Sequence, residues 1–167
     1  MLSLTGLLLL LSAARLAYPL ELELTTHLGN QQHFITGDEI KLLVSLDEAA
    51  YLLLLYQDAS GNVSQLFPNA YVKNAYHKPG EYFSLPPQPQ HFRFTVGPPY
   101  GSEWIWLFAA NQPMPELPMK QQQTPPKQIA LTMPEIQKLL SNYAEKHQFS
   151  LTHRSLKLMT SSVPRAN

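Results

Sequence analysis

Apolar and polar residues alternate in short runs along most of the chain, which is typical of β-strands. Residues 20–25 alternate leucine with glutamate or threonine, and residues 91–96 alternate in the same way, so each strand has one apolar and one polar face. Residues 40–46 and 103–110 are more continuously apolar. Turn-forming residues separate these runs at intervals of about 8 to 12 residues. The pattern predicts a mainly β fold, an antiparallel immunoglobulin-like β-sandwich, with a small barrel as the alternative.

The most strongly patterned stretch is residues 50–69, AYLLLLYQDASGNVSQLFPN. Its first seven residues are almost wholly apolar, as in a strand buried on both faces. Asp58 can accept local backbone hydrogen bonds and Gly61 can adopt a positive φ, so a turn follows. Residues 63–67 then alternate, which places Val63, Gln65 and Phe67 on one face. We predict a β-hairpin whose motif residues have structural roles: Asp58, Gly61, Leu66, Phe67, Pro68 and Asn69.

The pattern changes after residue 111. Residues 112–131 are rich in proline and glutamine and predict a linker. Thr132 and Glu135 have the spacing of a capping box, and apolar residues then recur at helical spacing, so an amphipathic helix is predicted over residues 133–147. The predicted organisation is therefore a signal peptide at 1–14, a β-sandwich domain at 15–111, a linker at 112–131, and a helix plus basic tail at 132–167, in which residues 149–159 could add a strand.

The N-terminal segment resembles a secretory signal. Residues 2–11 are apolar and are followed by Ser12-Ala13-Ala14, a small-residue cleavage pattern, although no basic residue precedes Arg15. The apolar run is shorter than the roughly 20 residues needed to span a bilayer. We predict a cleaved signal peptide, a periplasmic or otherwise extracytoplasmic location, and no membrane span in the mature chain. A buried N-terminal strand or helix is the alternative.

Charge and composition narrow the class of partner. The chain has 12 basic and 12 acidic residues and no cysteine, so it lacks disulfides, and nucleic-acid binding is disfavoured. The balance conceals an asymmetry, because residues 15–117 contain five basic and ten acidic residues and residues 118–167 contain seven basic and two acidic ones. The basic tail either folds onto its own domain or is attracted to an anionic partner.

No motif for catalysis or for cofactor binding is present. The six histidines lack the spacing of a helical zinc site, and neither a Gly-x-Ser-x-Gly elbow nor a glycine-rich phosphate loop occurs. Asp38, Asp58 and Glu103 are acidic residues in predicted turns, where backbone hydrogen bonding accounts for them. The prediction is a protein that is not an enzyme, with no catalytic residue, cofactor or metal.

Aromatic residues are the remaining candidates for a binding surface. Trp104 and Trp106 lie two apart on one predicted strand and therefore share a face. Exposed side by side, they would form a platform for a sugar or a peptide, whereas a buried face would make them core residues. With the tyrosines of the nearby loops, the candidate contact residues are Tyr71, Tyr76, Tyr82, Tyr100, Trp104 and Trp106.

The hairpin also carries a resemblance to a known family. Gly37-Asp38-Glu39, the hairpin with its Leu-Phe-Pro-Asn end, a later Leu-Pro and the turn GPPYGSE at 97–103 resemble the family catalogued as domain of unknown function 4384. The resemblance covers roughly residues 37–111. It implies a small extracytoplasmic β-module of bacterial envelope proteins and no catalytic residues.

These observations predict a non-enzymatic interaction or assembly module of a bacterial envelope or secretion complex, the secretion role resting on analogy alone. A protein partner is expected. A glycan or cell-wall-polymer binding module that uses the aromatic strand is the alternative. Binding of a glycan to exposed tryptophans would change their fluorescence, which separates the two.

Overall fold

A computed structural model describes residues 20–29, 33–80, 82–86, 93–121 and 127–162. The predicted signal peptide lies outside these residues. Within them the chain is mainly β with one C-terminal helix, which confirms the predicted fold class. The immunoglobulin-like strand arrangement stays a prediction, and the two packed sheets are consistent with it. The elements in chain order are β1 (Leu22–Thr26), β2 (His33–Ile35), β3 (Glu39–Ile40), β4 (Leu42–Leu46), β5 (Ala50–Gln57), β6 (Val63–Phe67), β7 (Tyr76–His77), β8 (Phe83–Leu85), β9 (Phe94–Thr95), β10 (Ser102–Ala110), α1 (Met133–His147) and β11 (Leu151–Ser161).

The strands form one large sheet and two small ones. The large sheet has the order β2-β11-β10-β5-β6, with β7 also paired to β5. A three-stranded sheet has the order β1-β4-β8, and β3 pairs with β9. Every pair is antiparallel except β2 with β11. The large sheet and the three-stranded sheet face each other across the first core, as in a sandwich.

The first core fills the space between these two sheets. Alternate residues of the long strands point into it, and Leu54, Ile105 and Leu107 from β5 and β10 are almost fully buried there. Leu42 and Val44 of β4 meet them from the opposite sheet. Buried and less buried residues alternate along β4 and along the first half of β10, whereas the last four residues of β10 are all buried.

The hairpin of β5 and β6 differs from the prediction in one respect. The register shifts between Leu54, which faces Phe67, and Leu55, which faces Gln65, so β6 contains a β-bulge. A bulge inserts an extra residue and reverses the side to which later residues point. Phe67 therefore lies in the first core, whereas Val63 lies on the other face of the sheet. The prediction that Val63 and Phe67 share a face is wrong.

A second core covers part of the outer face of the large sheet. The apolar stripe of α1 packs on residues of β5, β6 and β10, and Ile136 and Leu140 are almost fully buried. Glu135 accepts a hydrogen bond from the Thr132 backbone N–H at 2.8 Å, which lowers the pKa of its carboxyl group. The helix begins and ends at the predicted residues because its cap and its apolar period are local signals.

The residues before and after the helix are also part of this body. In the segment predicted as a linker, Leu117 and Ile129 are buried in the second core, and Gln128 pairs with Ser64 at the edge of β6. In the segment predicted as a tail, β11 pairs with β10 over nine residues. In the part of the chain that the structure describes, no helix is both long and apolar enough to cross a membrane.

Candidate functional site

The outer face of the large sheet is only partly covered by α1 and its flanking segments. At the covered end, Leu53 and Phe108 are buried in the second core. Beyond that core, the cross-strand register brings together a group of side chains on neighbouring strands. We call this group the outer aromatic patch, and its members are Gln57, Trp104, Trp106, His153 and Lys157.

The two tryptophans of the patch have different surroundings. Both side chains are half-buried, and their ring centroids are 5.8 Å apart with planes tilted by 32°. Trp106 packs against the second core and its indole N–H donates to Gln57 Oε1 at 3.3 Å. Trp104 packs against neither of the cores that the described residues form. The structure therefore leaves Trp104 as a large aromatic ring on the sheet surface beside a better anchored neighbour.

The patch is cationic at its β11 side. Lys157 Nζ lies 6.0 Å from the centroid of the Trp104 ring, and the exposed His153 ring lies 6.2 Å from that of Trp106. Alternation assigns Ser155 and Met159 to the same face, and no outward-facing position of β5, β10 or β11 carries an acidic residue. The patch thus combines apolar ring surface with positive charge, which suits a partner that presents an apolar group beside an anion.

Sequence reasoning found the tryptophans but missed Gln57, His153 and Lys157 as their neighbours. A strand over residues 149–159 was predicted, and residues 155–158 alternate polar with apolar residues. What alternation does not provide is the partner strand and its register. These come from long-range pairing, which places Lys157 opposite Trp104.

A second cluster of polar groups lies inside the sandwich. Glu103 is only 3% exposed, and its carboxylate accepts a hydrogen bond from Thr160 Oγ1 at 2.7 Å and another from the Tyr56 hydroxyl. Burial raises the pKa of Glu103, an effect that these hydrogen bonds oppose and the nearby Asp58 charge strengthens. The pKa of Tyr56 is raised as well, first by burial and then by Glu103. These contacts join β5, β10 and β11, so the cluster holds strands together and offers no accessible reactive group.

Two turns, at residues 58–62 and 97–103, pack beside this cluster. Asp58 Oδ1 accepts hydrogen bonds from the backbone N–H groups of Ser60 and Asn62, at 2.9 and 2.8 Å, and Gly61 has the positive φ of 86° that this turn requires. A side chain at Gly101, whose φ is 140°, would stand 3.3 Å from Ala59 Cβ. The positive φ explains the glycine at position 61, whereas a positive φ and the close approach of the two turns together explain the glycine at position 101.

The end of the hairpin is also a structural motif. Asn69 Nδ2 donates to the Leu66 carbonyl at 2.7 Å, and Asn69 Oδ1 accepts from the backbone N–H groups of Tyr71 and Val72 at 2.9 Å each. Phe67 fills the first core and Pro68 follows the last residue of the strand. The structure thus explains these residues through packing and backbone bonding.

The candidate contact residues do not form one surface. Tyr71, Tyr76 and Tyr82 are 60%, 40% and 57% exposed. The ring centroids of Tyr76 and Tyr51 are 5.2 Å apart. The Tyr82 hydroxyl instead donates a hydrogen bond to Glu23 of the three-stranded sheet. Tyr100 is half-buried and accepts a hydrogen bond from Thr36 at 2.7 Å near the turn at 97–101. Of the six, only Trp104 and Trp106 are brought together.

A groove and a buried histidine are the remaining candidates for a reactive or ligand-binding site. A shallow groove of about 190 Å³ lies beside the ion pair of Glu39 and Arg93, whose N–O distance is 2.5 Å, and it is smaller than the roughly 300–1,000 Å³ of most small-molecule sites. His77 stacks on Phe83 with a centroid distance of 4.4 Å, and its Nε2 is buried without a hydrogen-bond partner, so burial lowers the pKa of its ring. No cluster of three potential metal ligands occurs among the residues described.

Comparisons with known proteins give one match. Residues 33–113 match a family model described as "Domain of unknown function (DUF4384)". No curated protein and no solved structure matches the chain. The matched segment runs from β2 to just beyond β10, so it contains the hairpin, both turn motifs and both tryptophans, but neither α1 nor β11.

Proposed function

We propose that this chain, whose residues 33–113 match the family model described as Domain of unknown function (DUF4384), is a non-enzymatic interaction module. It binds a protein partner through the outer aromatic patch. We place this module in a bacterial envelope, as part of an extracytoplasmic assembly such as a secretion complex. The location rests on the signal-like sequence of residues 1–14 and on the resemblance discussed above, and the secretion role on analogy.

The observation that carries the proposal is the position of Trp104. A large aromatic side chain contributes to stability mainly when it is buried, yet Trp104 is half-buried and packs against neither core. Tryptophan is also enriched at the energetically dominant positions of protein interfaces, where its ring becomes fully desolvated. Binding would complete the burial that the isolated fold leaves unfinished. Trp106, fixed by the second core and by Gln57, would keep the surface rigid.

Capture from the native envelope tests this proposal. The full-length protein and its Trp104→Ala variant are used side by side as bait, with Tyr71→Ala as the control because it removes another exposed aromatic ring from a different surface. We expect partners that the wild type and Tyr71→Ala retain and that Trp104→Ala loses. If both variants keep the same partners, recognition does not use the patch. If only Tyr71→Ala loses them, the loop around Tyr71 carries recognition instead.

A glycan-binding function is the second candidate. Two tilted tryptophan rings 5.8 Å apart offer the flat apolar surface on which sugar rings stack. Titration with soluble peptidoglycan fragments, followed by tryptophan fluorescence, distinguishes the candidates. A saturable change that Trp104→Ala abolishes, together with capture of no protein, would favour the glycan. Absence of any change, together with a captured protein, would favour the protein partner.

A further inference from the structure

Strand β11 leaves part of its backbone edge open, because its outer neighbour β2 is short. One edge of β11 pairs with β10 from Leu151 to Met159, and the other pairs with β2 only from Met159 to Ser161. β1 lies close to β11 without pairing with it. Among the described residues, no backbone hydrogen bond reaches the second edge of β11 between Leu151 and Leu158.

Burial locates the open part of this edge. From residue 156 onward the inward-facing side chains, Leu156, Leu158 and Thr160, are buried under the smaller sheet. The corresponding earlier positions are not, because Thr152 is half-buried and Arg154 is exposed. The open edge is therefore Leu151–Ser155. In an antiparallel strand about every second residue directs its N–H and C=O away from the paired neighbour, so this edge presents donors and acceptors that no described strand uses. One of these acceptors, the His153 carbonyl, receives a hydrogen bond from Arg154 Nη1 at 3.4 Å.

The open edge is also positively charged. Arg154 is exposed within it, and Lys157 is exposed just beyond it. No aspartate or glutamate follows Glu145 in the sequence. Pairing of two copies of this edge would bring these like charges together, which is unfavourable, whereas an acidic strand would neutralise them.

We infer that the open edge of β11 accepts an extended, acidic segment of a protein partner as an added strand. Backbone hydrogen bonds to Leu151–Ser155 would provide affinity, and acidic side chains facing Arg154 would provide selectivity. The inference rests on the proposed function, since it specifies the kind of protein partner, and it adds a second contact one strand away from Trp104.

The test uses the full-length protein and a blocked peptide of about eight residues that alternates glutamate with valine or threonine. Binding is followed by fluorescence anisotropy of the labelled peptide, and backbone amide exchange locates the contact. We expect saturable binding with new amide protection within residues 151–155. The same peptide methylated at every backbone nitrogen has no donor on either edge, so it cannot add to the sheet and should not bind. A peptide with lysine in place of glutamate should bind more weakly.

A charge reversal provides the matched variants. Arg154→Glu should weaken binding of the acidic peptide about fivefold, the scale of one exposed ion pair. Lys138→Glu makes the same change at an exposed position of α1 and should leave binding unchanged.

Three results would overturn the inference. They are equal binding of the methylated peptide, binding without protection of residues 151–155, and no binding of the acidic peptide at all. A dimer of the free protein that protects the same amides would assign the edge to a second copy. If the inference fails while Trp104→Ala still abolishes partner capture, the proposed function stands.

Discussion

Two aromatic residues on the same face of β10 should contribute to stability to different extents. Phe108 is 1% exposed and belongs to the second core, so Phe108→Ala should destabilise the protein by about 3–5 kcal/mol. Trp104 has fewer stabilising contacts. Its ring pair with Trp106 is worth about 0.5–1.5 kcal/mol, and the Lys157 cation about 0.5 kcal/mol at an exposed site. Half-burial of its ring adds roughly 1 kcal/mol to these contacts, so Trp104→Ala should cost about 2–3 kcal/mol, less than Phe108→Ala although tryptophan is the larger side chain.

Thermal and urea unfolding followed by far-ultraviolet circular dichroism would measure both variants without relying on the tryptophan signal. For a chain of this length each kcal/mol shifts the melting temperature by about 2–4 °C, so Phe108→Ala should shift it further than Trp104→Ala. An equal or larger loss of stability in Trp104→Ala would show that Trp104 is a structural residue. That result would remove the observation on which the proposed function rests.

Three further predictions concern the polar groups and the C-terminal part. A chain ending at Asn111 should lose cooperative thermal unfolding, because it lacks β11 and five of the nine buried residues of the second core; a sharp transition would refute this. Glu103 has a raised pKa, so its favourable contribution to stability is present below about pH 4.5 and is lost as the pH rises through the raised pKa. The stability of Glu103→Gln relative to wild type should therefore increase over that pH window. A constant difference in stability would contradict the assignment. His77 has a lowered pKa, so its contribution to stability is present above pH 6.5 and is lost as the pH falls through the lowered pKa. Urea titrations at several pH values should show that His77→Phe becomes more stable relative to wild type below pH 6.5, whereas the exposed control His153→Gln should not. No relative increase in the stability of His77→Phe would refute the prediction.

Local signals were sufficient to predict several elements. The helix Met133–His147 follows from a capping pair, Thr132 and Glu135, and from apolar residues at helical spacing. The turn at Asp58 and Gly61 follows from the hydrogen-bonding capacity of aspartate and from the freedom of glycine at positive φ. In each case the residues that determine the conformation lie within a few positions of one another.

The remaining features depend on pairing between distant segments. The bulge in β6 moves Phe67 to the first core, and nothing in the alternation of residues 63–67 marks the extra residue. The position of β11 between β2 and β10 is likewise absent from its own sequence, which specifies only a strand with one apolar face. For the same reason His153 and Lys157 could not be assigned to a site with the tryptophans before the register was known.

The incomplete cover of the large sheet connects the fold with the proposed site. A sheet with apolar residues on both faces needs cover on both, and here α1 and the segments before it bury Phe108 and reach Trp106 but not Trp104. Other outer positions beyond this cover hold Ser155 and Gln57, which water can solvate, and the exposed Met159. By the contacts that it makes, Trp104 should stabilise the fold less than the buried Phe108 does. The part of its ring that the described residues leave uncovered is therefore open to an apolar group of the proposed partner.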